Sequence, residues 1–175
     1  MSMELAMQIP KWFRAWSRWA IVGSLLATSF AAETYKGPVP PEPDLPYLLH
    51  ADHLVPTERA QAREQDSKDQ IIYTVPGASS PARTPLAEPI FIFRSENIPA
   101  EKLELYRMEV KGGNRQISFP KNPERRMRRG PWPVHLKIQA LGEKLYWVEV
   151  NQYLDNGEYC LSPAGSTAVF CFQIY

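Results

Sequence analysis

The chain lacks most of what would announce a chemistry. It carries two cysteines and three histidines in 175 residues. No glycine-rich phosphate loop, dinucleotide fingerprint or nucleophile elbow occurs, and Ser79-Ser80 has no partner spacing of the hydrolase kind. The formal net charge is +1, which gives no global attraction to nucleic acid or to an anionic membrane. No uncharged run reaches the ~18–20 residues of a membrane-spanning helix. No cysteine lies in the first part of the chain, which excludes a lipid-modified N-terminal cysteine. Long helices are also excluded after residue 35, because prolines recur there and each removes a backbone donor and fixes φ.

Proline is what the chain has in excess, 17 residues and roughly twice average usage. Hydrophobic residues at 44% and charged residues at 22% are otherwise those of a globular protein. The N-terminus reads as an export signal. Lys11, Arg14 and Arg18 face a single acid, Glu4, and the uncharged run Trp19–Ala32 follows. Ser29 and Ala31 fit the small-residue positions before a cleavage point, so 1–31 is expected to be a secretory signal peptide and Ala32 the mature N-terminus. An uncleaved signal anchor is the rival reading and the one route to a membrane. The segment 32–46, with Pro38, Pro40, Pro41, Pro43 and Pro46, is expected to be an extended proline-rich spacer.

From 47 to 175 short apolar alternations are separated by turn signals, which predicts one all-β domain. Expected strands are Tyr47–Val55, Gln70–Val75, Ile90–Phe93, Lys102–Val110, Arg115–Phe119, Val134–Ala140 and Lys144–Val150, followed by a final hairpin. In Lys102–Val110 the apolar parity switches between Leu105 and Tyr106, which predicts either a bulge or burial on both faces. Thr57–Asp69 has no apolar stripe beyond Ala60 and Ala62 and is expected to be irregular, although it is the one helix candidate. Ala78–Pro89 and Pro120–Pro133 are expected to be loops.

The last hairpin is the most legible stretch. With a turn at Gly165-Ser166, Tyr159 opposes Phe172, Cys160 opposes Cys171 and Leu161 opposes Phe170. That register gathers the apolar residues on one face, independently of the cysteines. It places Cys160 and Cys171 within disulfide range, and an exported chain meets an oxidising compartment. Leu154-Asp155-Asn156-Gly157-Glu158-Tyr159 resembles the tyrosine corner of immunoglobulin-like and fibronectin-type domains, in which a tyrosine hydroxyl turns back to the backbone just upstream. The resemblance implies a Greek-key, immunoglobulin-like β-sandwich of about seven to nine short strands. Cys160 directly follows Tyr159 and no cysteine precedes it, so an antibody-type bridge between sheets is excluded. The alternation also runs against an outer-membrane strand, whose lipid-facing parity counted from Tyr175 would meet Gln173, Cys171 and Val169.

Two groups invite a functional reading. His50, Asp52 and His53 suggest a metal site if His135 or Glu58 joins them, and otherwise read as polar residues at a strand edge. Lys121, Arg125, Arg126, Arg128 and Arg129 stand in one segment with a single acid, Glu124, and Trp132 follows between prolines. Guanidinium forks and an indole face suit an anionic glycan, a lipid headgroup or an acidic envelope protein. The bland alternative is a solvated loop with Trp132 folded onto the domain. These features lead to the expectation of an exported, non-catalytic binding or structural module with no cofactor and no nucleic-acid partner. The alternative is a small secreted metal-dependent or hydrolytic enzyme built on His50, Asp52 and His53. A third reading is a subunit that needs a partner to cover an open sheet edge.

Overall fold

β-branched and aromatic runs between prolines can only be satisfied by pairing with one another, and in the computed structural model they do so in two sheets. The structure describes residues 35–175, so the expected signal peptide 1–31 and its cleavage after Ala31 lie outside the described residues. The strands are β1 (Pro46–His50), β2 (His53–Pro56), β3 (Glu58–Gln61), β4 (Arg63–Asp66), β5 (Gln70–Pro76), β6 (Arg83–Thr84), β7 (Ile90–Arg94), β8 (Leu103–Lys111), β9 (Asn114–Pro120), β10 (Leu136–Gly142), β11 (Leu145–Val150), β12 (Gly157–Pro163) and β13 (Ala168–Ile174). One short helix, α1 (Pro123–Arg129), precedes β10.

The smaller sheet has the order β10-β11-β7-β1-β2, and the larger β3-β13-β12-β8-β9-β5-β4 with β6 alongside β13. All neighbours are antiparallel except β6, which runs parallel to β13. The main core lies between the sheets. Leu48, Phe91, Phe93 and Val148 come from one side, and Leu105, Leu161, Phe170 and Phe172 from the other. Phe91 meets Phe172 edge to face at 5.2 Å, which joins the two layers at their centre.

The larger sheet does not stay open. Its end strands β3 and β4 are successive parts of one chain segment, parted only at Ala62. The first part pairs with β13, the second with β5. The sheet therefore curls until its two ends share one stretch of backbone, and a second, smaller core fills the inside. Ala62, Val75, Met108, Val169, Cys160 and Cys171 form it. This explains the parity switch in β8. Its pairing with β12 runs without a shift from Leu103 to Met108. Leu103 and Leu105 face the main core and Met108 the second one. There is no bulge; both faces are buried.

The interior of the curl also holds a charged cluster. Arg115, on β9, is 1% exposed in its side chain. Its Nη1 and Nη2 donate to the two carboxylate oxygens of Glu58 on β3 at 2.6 and 2.8 Å. Its Nε donates to the Gly77 carbonyl at 3.1 Å, and Nη2 also to that of Pro76 at 2.9 Å. Glu158 lies 3.9 Å from Nη1 and accepts from the Ser80 amide at 2.9 Å. Burial pushes the Glu58 carboxyl up, but hydrogen bonds from Arg115 and Ser80 and the charge of Arg115 outweigh it and hold the group below its usual range.

Several sequence expectations are corrected here. Among the described residues thirteen strands replace the expected seven to nine. Tyr47–Val55 is not one strand but the hairpin β1–β2, turned at Ala51, whose φ is 52°. Thr57–Asp69 is not irregular, because β3 and β4 occupy most of it. Pro120–Pro133 contains a helix, since the Asn122 side chain caps the amides of Glu124 and Arg125 and Pro123 opens the first turn. The second half of the expected spacer 32–46 packs on the body. Leu45 and Pro46 are buried, and the Asp44 carboxylate accepts from the amides of Glu96, Asn97 and Ile98.

In the final hairpin Tyr159, Cys160 and Leu161 oppose Phe172, Cys171 and Phe170, and Cys160 and Cys171 are bridged with their Cα atoms 4.0 Å apart. The bridge closes a loop of sequence separation 11, for which lost chain entropy in the unfolded state contributes about 3 kcal/mol. Unfolded but unreduced protein is expected to show no reactive thiol, and reduction to lower the unfolding free energy by about that amount in a denaturant titration. Two reactive thiols before reduction would contradict the bridge.

Candidate functional site

The three histidines do not form one cluster, because His135 stands apart from the His50–His53 pair. His50 ends β1 and His53 opens β2, so the two rings meet edge to face across one tight turn at 5.6 Å. His50 Nε2 shares a hydrogen bond with Thr84 Oγ1 at 3.0 Å. His53 Nδ1 lies 3.6 Å from an Asp52 carboxylate that is 99% exposed. His135 stands just before β10, which borders the opposite edge of the smaller sheet, and Glu58 is committed to Arg115. Among the described residues no group of three or more His, Cys, Asp or Glu could hold a metal ion. His50, Asp52 and His53 thus share one turn, and neither His135 nor Glu58 joins them.

The tyrosine of the C-terminal stretch has the geometry of a corner. Tyr159 Oη donates to the Asp155 carbonyl at 2.9 Å, and its ring stacks on Phe172 at 5.7 Å. Leu154 is buried, and its amide donates to the Ala87 carbonyl at 2.9 Å. At the turn between them Arg107 donates to the Asn156 carbonyl at 3.2 Å and lies close beside Gly157. These residues anchor β12, and Arg107 and Gly157 also border an open depression with Glu158 and Gln173.

The basic segment is displayed in full. Every side chain of α1 is exposed, and so is Trp132, at 68%. Trp132 does not fold onto the domain. Lys121 is drawn into an ion pair with Asp66. Arg126 lies over the Phe119 ring at 5.3 Å. Arg125, Arg128 and Arg129 have no carboxylate within ion-pair distance among the described residues. Met127, 71% exposed, sits among them. A seven-residue helix with no buried side chain contributes nothing to a core, so its sequence is free to serve a surface.

A concave site escaped the sequence reading. The curled sheet is plugged at one end by Arg115 and its carboxylates, and at the other it opens into a cavity of about 230 Å³. Tyr73 on β5, Tyr106 on β8 and Phe119 on β9 form one wall, with Phe119 edge to face against Tyr73 at 5.9 Å and against Tyr106 at 5.5 Å. Glu64 on β4, Glu104 on β8 and Arg126 on α1 stand around it. Tyr106 Oη donates to Glu104 Oε2 at 2.9 Å. Burial first, then this bond and the Glu104 charge, push the Tyr106 phenol up to about 12, so it stays a neutral donor. Burial and Glu64 raise Tyr73 in the same sense. The mouths of small barrels are common ligand sites. The sequence signal was Tyr106 and Met108 on the non-core parity of β8, legible only once the sheet is known to curl.

No family model, curated protein or solved structure matches the chain. The arrangement can therefore be read only from its own chemistry, as two surfaces suited to binding.

The His50–His53 pair yields a pH prediction. Burial first, then the nearby charge of His53, holds His50 below its usual value of 6.5. In an NMR titration the His50 ring is expected to protonate below that value, and His53→Gln to move its midpoint upward. A midpoint above 6.5 that is insensitive to His53→Gln would contradict the pairing.

Proposed function

We propose that the chain is an exported, non-catalytic binding module of the cell envelope or extracellular space that engages clustered anions through α1 and Trp132. One observation carries the reading. Arg125, Arg128 and Arg129 are exposed on a solvent-facing helix without carboxylate partners among the described residues, beside an exposed indole. Guanidinium groups left unpaired in this way bind phosphate, sulfate or carboxylate groups as forks, and an indole adds a flat apolar face. The shared ligand chemistry is that of an acidic glycan or a lipid headgroup layer. Export is supported by the basic-then-apolar N-terminal sequence and by the Cys160–Cys171 bridge, which suits an oxidising compartment. The Tyr159 corner supports a Greek-key, immunoglobulin-like element within the two-sheet body. Among the described residues no helix is long and apolar enough to cross a membrane.

The triple variant Arg125→Gln, Arg128→Gln, Arg129→Gln tests this. Arg126 is left in place because its guanidinium rests on Phe119. The variant is expected to elute from an anionic polysaccharide column at clearly lower salt than the parent, and to lose sedimentation with vesicles rich in anionic lipid if headgroups are the natural source. Unchanged behaviour on both the column and the vesicles would overturn the reading.

A further inference from the structure

We infer that the mouth of the curled sheet is a binding site for a small organic cation, an ammonium or amidinium carried on an apolar body of about one ring. This site is separate from the anion-binding surface, although both draw on α1.

Size comes first. A dry cavity of about 150 Å³ admits benzene. The 230 Å³ here has room for one ring or a short branched chain with a few further atoms. Its floor is apolar, formed in part by Met108, Val169 and the bridged Cys160. The body of the ligand would lie there and the head at the rim.

Charge decides the head. The rim carries two carboxylates, Glu64 and Glu104, against one guanidinium, Arg126. Neither carboxylate has a Lys or Arg nitrogen within ion-pair distance among the described residues. They are therefore free to accept a cation, and an anionic head would be repelled by both. A neutral apolar ligand would cover them without pairing them, which carries a desolvation cost. The aromatic wall adds to the preference, because ring faces attract a cation held within about 6 Å. The chain already uses this wall in that way, since Arg126 lies 5.3 Å from the Phe119 centroid. Arg126 thus shows what chemistry the wall accepts, and it also competes with an incoming cation of the same sign. Tyr106, fixed as a donor to Glu104, orients that carboxylate at the rim.

Two probes with the same phenyl body separate the charge term from the apolar one. Phenethylammonium and phenylpropionate are titrated into the full exported chain by calorimetry, with the Tyr106 ring signals followed by NMR. Phenethylammonium is expected to bind at least about tenfold more tightly and to shift the Tyr106 signals. Glu104→Gln, which keeps an acceptor for Tyr106, is expected to weaken the ammonium about fivefold, and Glu64→Gln to act in the same direction. Arg126→Gln is expected to tighten it. Each variant is compared at an unfolding midpoint matching the parent, so that Glu64→Gln stands in if Glu104→Gln does not fold. Equal binding of the two probes, a preference for the carboxylate, or no binding of the ammonium at millimolar concentration would overturn the site. Weaker ammonium binding by Arg126→Gln would also contradict it. None of these outcomes depends on the anionic column or the vesicles.

Discussion

The pairing of Arg115 with Glu58 is the constraint from which the larger sheet takes its form. The two residues stand on β9 and β3, which are not neighbours in the sheet: β13, β12 and β8 lie between them. Their bidentate contact crosses the interior of the curl and joins walls that no ladder hydrogen bond connects directly. The same guanidinium holds the Pro76 and Gly77 carbonyls at the end of β5, where Gly77 has φ 86°, a conformation that a residue with a side chain adopts only under strain. A charge this deeply buried is tolerable only when its hydrogen bonds are satisfied. Arg115 meets that condition, whereas Glu158 Oε1 has no hydrogen-bond partner among the described residues. The cluster is therefore a device for geometry more than a source of net stability.

From that geometry an asymmetry between the two ends of the curl follows. One end of the curl is filled with paired charge and the middle with the disulfide and small apolar side chains. The far end opens into the cavity, and there the wall residues are aromatic. α1 lies beside this opening because it directly continues β9, with Lys121 tied back to Asp66 on β4. One short helix thus presents free guanidinium groups outward and lends a single one, Arg126, to the cavity. The proposed anion-binding surface outside and the proposed cation site inside would use opposite signs of charge within one small region, so the two ligands would not compete for the same groups.

How much of this was legible depended on whether a residue's burial left a mark on its own neighbourhood in sequence. The final hairpin was readable because its alternation, its turn and its two cysteines all demand the same register. β5, β7 and β11 were readable from β-branched and aromatic runs. β3 and β4 were not, because the inward positions there are Glu58, Ala60 and Ala62. Two small side chains and one carboxylate produce no apolar stripe, the residues of β4 are all exposed, and what makes the two segments strand is backbone pairing with β13 and β5. α1 was hidden for the opposite reason. It buries nothing and so has no periodicity, although Asn122-Pro123-Glu124 is a helix-start signature. His50, Asp52 and His53 share one tight turn, in which His50 turns inward to Thr84 while Asp52 is solvent-exposed. The His135 or Glu58 that a metal site would need is held elsewhere by the long-range fold. Long-range closure is the part that a local pattern cannot carry.

Hydrogen exchange on the native chain and on Arg115→Met tests that closure most directly. If Arg115 holds β3 against β9 across the curl, the amides of β3 and β4 should lose protection in the variant by at least about tenfold more than those of β7 and β11 in the smaller sheet. Uniform loss across both sheets, or undiminished protection of β3 and β4, would contradict it.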